Sequence, residues 1–285
     1  MFQFSFNDDR SSCSDTSTIS EPLARFECME ITEPRKLLHG ISLEPDNLHV
    51  FVASVDIQVE YINCLTLPQE DLSDEIQTAE LDHSDLIPGK YEGGMKVWEC
   101  TFDLGELMAE REEYRKLFQN AKVLDLGCGS GILGILAVKL GADTLVFQDY
   151  NKTVLEKVTV KNYFFNCSED KENTSRTVAR FYSGEWGSFV GKVQEKFDVI
   201  LTSETIYNDK NYGTLIDLFK CTLKAKGVVL LAAKTYYFGV GGGMRLLEQA
   251  LDEDGTFNYR TAWKCDDGVQ REILEIRWKQ VVPEK

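Results

Sequence analysis

Residues 122–134, KVLDLGCGSGILG, are the stretch of this sequence best suited to chemistry. An apolar run ends in the acid Asp125, and Gly127, Gly129 and Gly131 follow before a run of small and aliphatic residues with helical character. Glycines at that spacing let the backbone take positive φ and come close to a ligand. The helix behind them presents unpaired N–H groups. Gly129, Gly131 and Gly134 also fit the dinucleotide pattern GxGxxG, so the loop alone suits a nicotinamide or flavin cofactor as well as a sulfonium one. Asp125 tilts the balance, because an acid there suits the cationic amine of a methionyl group and would repel a pyrophosphate. Asp149 follows at the distance at which either cofactor needs its ribose hydroxyls held. Taken alone it would also serve as a helix N-cap, since Asn151 and Lys152 come next.

Around this loop, strand and helix patterns alternate. Residues 144–148 (TLVFQ) read as a strand tipped by Asp149, residues 153–165 as a helix, and residues 178–182 as a strand followed by Gly184, Glu185 and Trp186. Residues 197–202 (FDVILT) form an almost wholly apolar strand, as expected for one covered on both faces of a parallel sheet. It runs into Ser203, Glu204, Thr205, Ile206 and Tyr207. A helix over 212–223, a strand over 228–233 and a helix over 243–251 come next, then an antiparallel pair over 257–263 and 272–278. Five helix-linked strands and a terminal hairpin make an α/β, Rossmann-like, seven-stranded sheet. A dehydrogenase would need a sixth parallel strand and a separate substrate domain, for which no residues remain.

The 285 residues suffice for one full domain plus an extension. Residues 1–35 are polar and acidic and are expected to be a disordered arm, with Phe2, Phe4 and Phe6 as a short sticky end. Residues 36–85 read as an extension with short strands at 48–67 and an acidic linker at 69–85, and the domain proper spans 86–285. The net charge of −16 is uneven: residues 1–85 carry 18 acids against 4 bases, or −14, leaving −2 for the rest. Such an arm disfavours nucleic acid as a direct ligand and favours a basic protein partner. The eight cysteines are scattered without CxxC pairs, no run is long enough to span a bilayer, and Met1 opens no signal-peptide pattern, which points to a reducing intracellular compartment. No metal is expected, because His39, His49 and His83 all precede the glycine loop without a cysteine at ligand spacing.

KYEGGMKVWECTFDL, KVLDLGCGSGILG, FQDYN, FYSGEW, DVILTSETIYN and YYFGVGGG, in that order, resemble the protein-histidine N-methyltransferases within the seven-stranded S-adenosylmethionine-dependent superfamily. The resemblance covers residues 82–285 and leaves the arm aside. It implies transfer of a methyl group from S-adenosyl-L-methionine to a histidine ring nitrogen, the tele nitrogen, of a large-subunit ribosomal protein, the third in the standard numbering. It also implies a role in translation, a monomer, and a place in cytoplasm and nucleus, the nucleolus included. The polar insertion at 168–175 lacks a basic cluster from which nuclear import could be read.

Ligands of doubly wound sheets bind beyond the carboxyl ends of the strands, where these motif residues fall. The glycine loop, with Asp125, Gly127 and Gly129, takes the methionyl part, and Asp149 the ribose diol, flanked by Gln148, Tyr150 and Asn151. Gly184, Glu185 and Trp186 suit the adenine, and Ser203 closes the fourth strand. Val97, Trp98, Glu99, Cys100 and Thr101 lie ahead of the first strand of the sheet and join the cofactor-binding set. There Trp98 is either a lid over the mouth or an ordinary packing residue. Glu204 and Tyr207 are the catalytic candidates: the carboxylate to accept the proton on the second ring nitrogen, the tyrosine to line the entry. The same acid-x-x-aromatic pair suits a lysine methyltransferase of this fold, and a cofactor-binding adaptor without catalysis is a further alternative. Tyr236, Tyr237 and Phe238, before a glycine-rich turn, form either a substrate-facing lip or an aromatic cluster tucked into the core.

Overall fold

The computed structural model describes residues 26–38, 47–68, 72–81, 84–87, 89–167, 177–265 and 267–280. Its centre is an eight-stranded sheet. Five strands are parallel: β4 (Lys122–Leu126), β5 (Thr144–Asp149), β6 (Val178–Ser183), β7 (Phe197–Ser203) and β8 (Leu223–Lys234). β10 (Arg271–Trp278) lies antiparallel beside β8, and β9 (Phe257–Cys265) pairs antiparallel with β10 as the outer strand. The order β6-β5-β4-β7-β8-β10-β9 is the expected seven-stranded arrangement with its terminal hairpin. The reversal of direction on either side of β4 opens a crevice above β4 and β7.

An eighth strand, β1 (Met29–Glu30), adds antiparallel to the free edge of β6, pairing Met29 with Ser183 and Glu30 with Tyr182. This corrects the expected boundary of the arm. Residues 26–35 are part of the fold, with Cys28 fully buried and a 3-10 turn at Pro34–Leu38, and residues 1–25, with Phe2, Phe4 and Phe6, lie outside the described residues. The alternating polar and apolar residues around Cys28 are too few to register as a strand, so only a neighbouring edge reveals it. The acidic linker is likewise interrupted by a helix, α1 (Asp74–Leu81), which seats Ile76 and Ala79 in a small core with Tyr91 and Met95. The insertion at 168–175 also lies outside the described residues.

Strand alternation sends successive side chains to opposite layers. Val123, Leu145, Phe147, Val199, Leu201 and Leu230 face α2 (Glu99–Glu110), α4 (Ile132–Lys139) and α6 (Val160–Asn166). Leu124, Leu126, Val146, Ile200, Val229 and Leu231 face α7 (Trp186–Lys192), α8 (Tyr212–Thr222) and α9 (Met244–Asp254). Helix α4, ILGILAVK, is apolar all round, and a helix of that kind needs cover on its outer side. The cover is α2 together with the hairpin of β2 (Leu48–Ser54) and β3 (Ile57–Ile62). Phe51 of β2 reaches this core because Gly105 of α2 has no side chain: a Cβ there would lie 2.5 Å from its ring. Asn162 and Asn166 fasten the layer, accepting the Ile62 and Glu60 amides at 2.9 and 3.1 Å.

The third glycine of the loop pattern, Gly134, serves this packing. A Cβ on it would lie 2.4 Å from the Phe147 ring, and that ring is fully buried. Gly134→Ala should cost about 1–3 kcal/mol through overpacking and lower the melting temperature by several degrees. Calorimetric melting of the two proteins checks it.

Candidate active site

The crevice above the carboxyl ends of β4, β5, β6 and β7 is a cavity of about 970 Å³. Its floor is the glycine loop. Gly127, Gly129 and Gly131 have φ of 63°, 50° and 77°, the left-handed region in which glycine is at ease. The Cys128 amide donates to the Gln148 carbonyl at 2.9 Å, and the Gly129 amide to Oδ2 of Asp149 at 2.8 Å. Oδ1 of Asp149 accepts the Asn151 amide at 3.0 Å. On the far side of the loop Asp125 accepts the Gly134 amide at 2.8 Å, filling an open position at the start of α4. A turn of π-helix at Leu155–Thr159 ends on Thr159, whose hydroxyl donates to the Gly129 carbonyl at 2.5 Å, while Asn162 donates to the Ser130 carbonyl at 2.9 Å.

Asp125 and Asp149 are 2% and 4% exposed, and neither forms an ion pair among the described residues. Burial pushes Asp125 up to about 8, offset by the Gly134 amide and reinforced by the charge of Asp149. Burial likewise pushes Asp149 up to about 6, against the pull of the Asn151 and Gly129 amides. Two buried carboxylates without a cation make a site that gains by receiving one. The sulfonium and ammonium of S-adenosylmethionine fit that requirement, and two ribose hydroxyls can donate to Asp149.

Of the expected cofactor set, Val97, Trp98, Thr101, Asp125, Gly127, Gly129, Asp149, Tyr150, Glu185, Trp186 and Ser203 line this cavity, as do Glu204 and Tyr207. Five others do not. Cys100 is fully buried on the core side of α2, and Glu99 opens that helix with its Oε2 3.6 Å from Nζ of Lys234. These two fall outside the lining because α2 starts at Glu99, and its first turn sets Cys100 beside Glu204 and Glu99 beside Lys234, behind the cavity wall. Gln148, fully buried, supports the wall by accepting the Trp186 indole N–H at 3.1 Å and donating to the Gly184 carbonyl at 2.7 Å. Asn151 holds the segment over the mouth, accepting the Glu92 amide at 3.1 Å and donating to the Lys90 carbonyl at 2.7 Å. Gly184 lies against the arm: a Cβ on it would be 2.7 Å from Cα of Cys28.

That segment, residues 89–98, is a part of the site that motif reading undervalued. Gly94 packs on the glycine loop, where a Cβ on Gly129 would meet the Gly94 carbonyl at 3.1 Å and one on Gly94 would meet Asp149 Oδ1 at 3.3 Å. Glycines at both contacts were the available signal. Trp98 is packed and lines the cavity at once: its indole N–H donates to the Gly93 carbonyl at 3.4 Å, and its ring receives the Lys234 ammonium at 4.9 Å. Phe26 and Glu27 were also missed, since nothing in their sequence marks them as wall residues of the cavity.

Glu204 stands at φ 59°, a strained position for a residue with a side chain. Its carboxylate is buried; Oε2 accepts the Tyr237 hydroxyl at 2.5 Å, and Oε1 lies 3.7 Å from Nζ of Lys234. Burial raises its pKa, while Lys234, Cys100 and Tyr237 pull it down. Tyr207 donates its hydroxyl to Glu92 and meets Tyr237 edge-on at 6.3 Å. The aromatic run therefore divides: Tyr237 is core, whereas Tyr236 and Phe238 are exposed and packed edge-to-face at 4.9 Å.

A glycine-floored crevice at the switch point, walled by acids that call for a cation, defines an S-adenosylmethionine-dependent methyltransferase, and the fold agrees. SMU.776, described as a putative methyltransferase complexed with SAH, shares that fold with a TM-score of 0.51 at 10% identity, over 83% of this chain and 57% of its own. A family model described as lysine methyltransferase matches residues 87–238. The histidine protein methyltransferase 1 homolog of Mus musculus is 38% identical over 286 residues, covering 87% of this chain and 78% of that protein. The Bos taurus homolog is 46% identical over 220 residues, covering 69% of this chain and 58% of that protein. The chain belongs to the histidine protein methyltransferase family, S-adenosylmethionine-dependent enzymes that modify protein histidine. Among the described residues no helix is long and apolar enough to cross a membrane.

Protonated Asp125 no longer attracts a cation and protonated Asp149 is a poorer acceptor for the ribose hydroxyls, so affinity for S-adenosylmethionine should rise with pH through about 6 and about 8 and then level off. Binding near pH 7 should release protons. Titration calorimetry in buffers of different ionisation enthalpy measures both, and a flat profile would exclude the two acids as ligands of the cofactor.

Proposed function

We infer that this enzyme methylates the tele nitrogen of a histidine in a basic large-subunit ribosomal protein, the third in the standard numbering. The observation that carries the reading is the 38% identity to the mouse histidine protein methyltransferase 1 homolog across 87% of the chain, joined to a buried carboxylate beside the cofactor loop. When bound, S-adenosylmethionine supplies an electrophilic methyl group on a good leaving group. Alignment and a dry cavity then account for most of the acceleration. An imidazole with an ordinary pKa of about 6.5 is already a neutral nucleophile near pH 7, so no strong base is needed. The ring becomes cationic as it attacks. Glu204 answers that change: its carboxylate accepts the proton of the second ring nitrogen and stabilises the developing charge. Tyr207, tied to Glu92, lines the entry.

The acidic first third of the chain suits a basic substrate and speeds encounter with it. The enzyme acts as a monomer, without nucleic acid, in cytoplasm and nucleus, with the nucleolus as the place where nascent ribosomal protein is met. A lysine acceptor is the second reading, favoured by the description of the matching family model. The two acceptors differ in proton chemistry: a lysine must first lose a proton, so its rate would keep rising well above neutral pH, whereas a histidine rate levels off above about 6.5.

Glu204→Gln should lower kcat roughly tenfold to a hundredfold while leaving the Kd for S-adenosylmethionine unchanged. Full turnover in that variant would remove Glu204 from the reaction. Incubation with labelled S-adenosylmethionine and ribosomal protein, followed by mass spectrometry of the product, identifies the acceptor. A methylated lysine and unmodified histidines would overturn the histidine assignment.

A further inference from the structure

We propose that the N-terminal arm supplies a wall of the cofactor site: Phe26, held across the open side of the adenine subsite by β1, packs on the purine of the methyl donor. Tyr150, Glu185 and Trp186, the residues expected at the adenine, line the cavity together with Phe26, Glu27 and Ser188. Phe26 is 45% exposed and its ring lies 5.1 Å from that of Tyr150, tilted by 60°, so an aromatic face is left open at the cavity edge.

The arm is tethered there at several points. The Glu185 amide donates to the Phe26 carbonyl at 3.1 Å, and the Cys28 amide donates to the Ser188 hydroxyl at 2.8 Å. Beyond them runs the β1–β6 ladder, and the Ile31 amide donates to the Phe181 carbonyl at 2.9 Å. The first two of these tethers grip the turn, residues 184–188, that carries Glu185 and Trp186. Gly184 explains how the backbones come so close. At φ 117° it has no side chain where a Cβ would lie 2.7 Å from Cα of Cys28 and 2.8 Å from the Glu27 carbonyl. Its glycine identity makes room for the arm. An apolar ring beside a purine adds affinity by stacking and by excluding water from that side of the cofactor.

Titration calorimetry on the full chain with S-adenosylmethionine, S-adenosylhomocysteine and adenosine tests the assignment. Phe26→Ala is expected to raise all three Kd values by a similar factor, about tenfold, and Phe26→Trp to restore them. Gly184→Ala, which forces the arm off the turn, should produce the same loss. Unchanged Kd values in Phe26→Ala would overturn the proposal, and so would a loss that spares adenosine, because the contact would then not be to the purine. Asp149→Ala in the same assay keeps the two ideas apart. It should lose binding whichever way the Phe26 result falls, so a silent Phe26 is distinguishable from a misplaced cofactor site.

Discussion

Two carboxylates buried without a cation among the described residues set the terms for this molecule. Asp125 and Asp149 sit at the tips of adjacent parallel strands, almost without solvent, and each is held by backbone amides of the loop between them or of the helix that follows. Amides stabilise a carboxylate but do not neutralise it. The site therefore remains short of positive charge until a cationic ligand arrives. Everything around the loop maintains that condition. The π turn ends on Thr159 and α6 begins just beyond it, so Thr159 and Asn162 both reach carbonyls of the loop and fix its path. Gln148 fixes the tryptophan wall, and Asn151 fixes the segment above.

The parts outside the seven-stranded core are structural members of the site. Helix α4 carries the glycine loop on its N-terminus and is apolar on every side, so it needs the β2–β3 hairpin and α2 to stay out of water. Burial of each large aliphatic side chain in that layer stabilises the fold by about 1.5–3 kcal/mol, and the cofactor loop inherits the resulting rigidity. Residues 89–98 fold over the same loop with glycine against glycine.

The setting of Glu204, the carboxylate proposed to act in the reaction, is fixed by what surrounds it. Its left-handed backbone turns the carboxylate toward Tyr237 and Lys234. The lysine also lies between Glu99 and the Trp98 ring, so Trp98 and Glu204 share one buried cation. A carboxylate in that position suits an acceptor that arrives neutral and leaves charged, as an imidazole does.

The amino-acid sequence alone determined the parallel sheet, the glycine loop, the acids at its strand tips and the order of the motifs, because periodicity and spacing are local and survive without knowledge of packing. Glu204 and Tyr207, the residues it offered for the reaction, both lie in the cavity lining. What lay beyond the sequence was any contact whose partner is far along the chain. Cys100 and Glu99 sat beside a cavity-lining tryptophan in sequence, yet a helix beginning one residue later set them against Glu204 and Lys234 and outside the cavity lining. Gly184 looked like a ligand glycine and proved to be a docking site for backbone more than a hundred and fifty residues earlier. The strand at Met29–Glu30 is too short to carry a periodic signal and exists only because β6 offers an unpaired edge. Tertiary structure decided which residues close the cavity, since closure depends on which distant segments find room to approach.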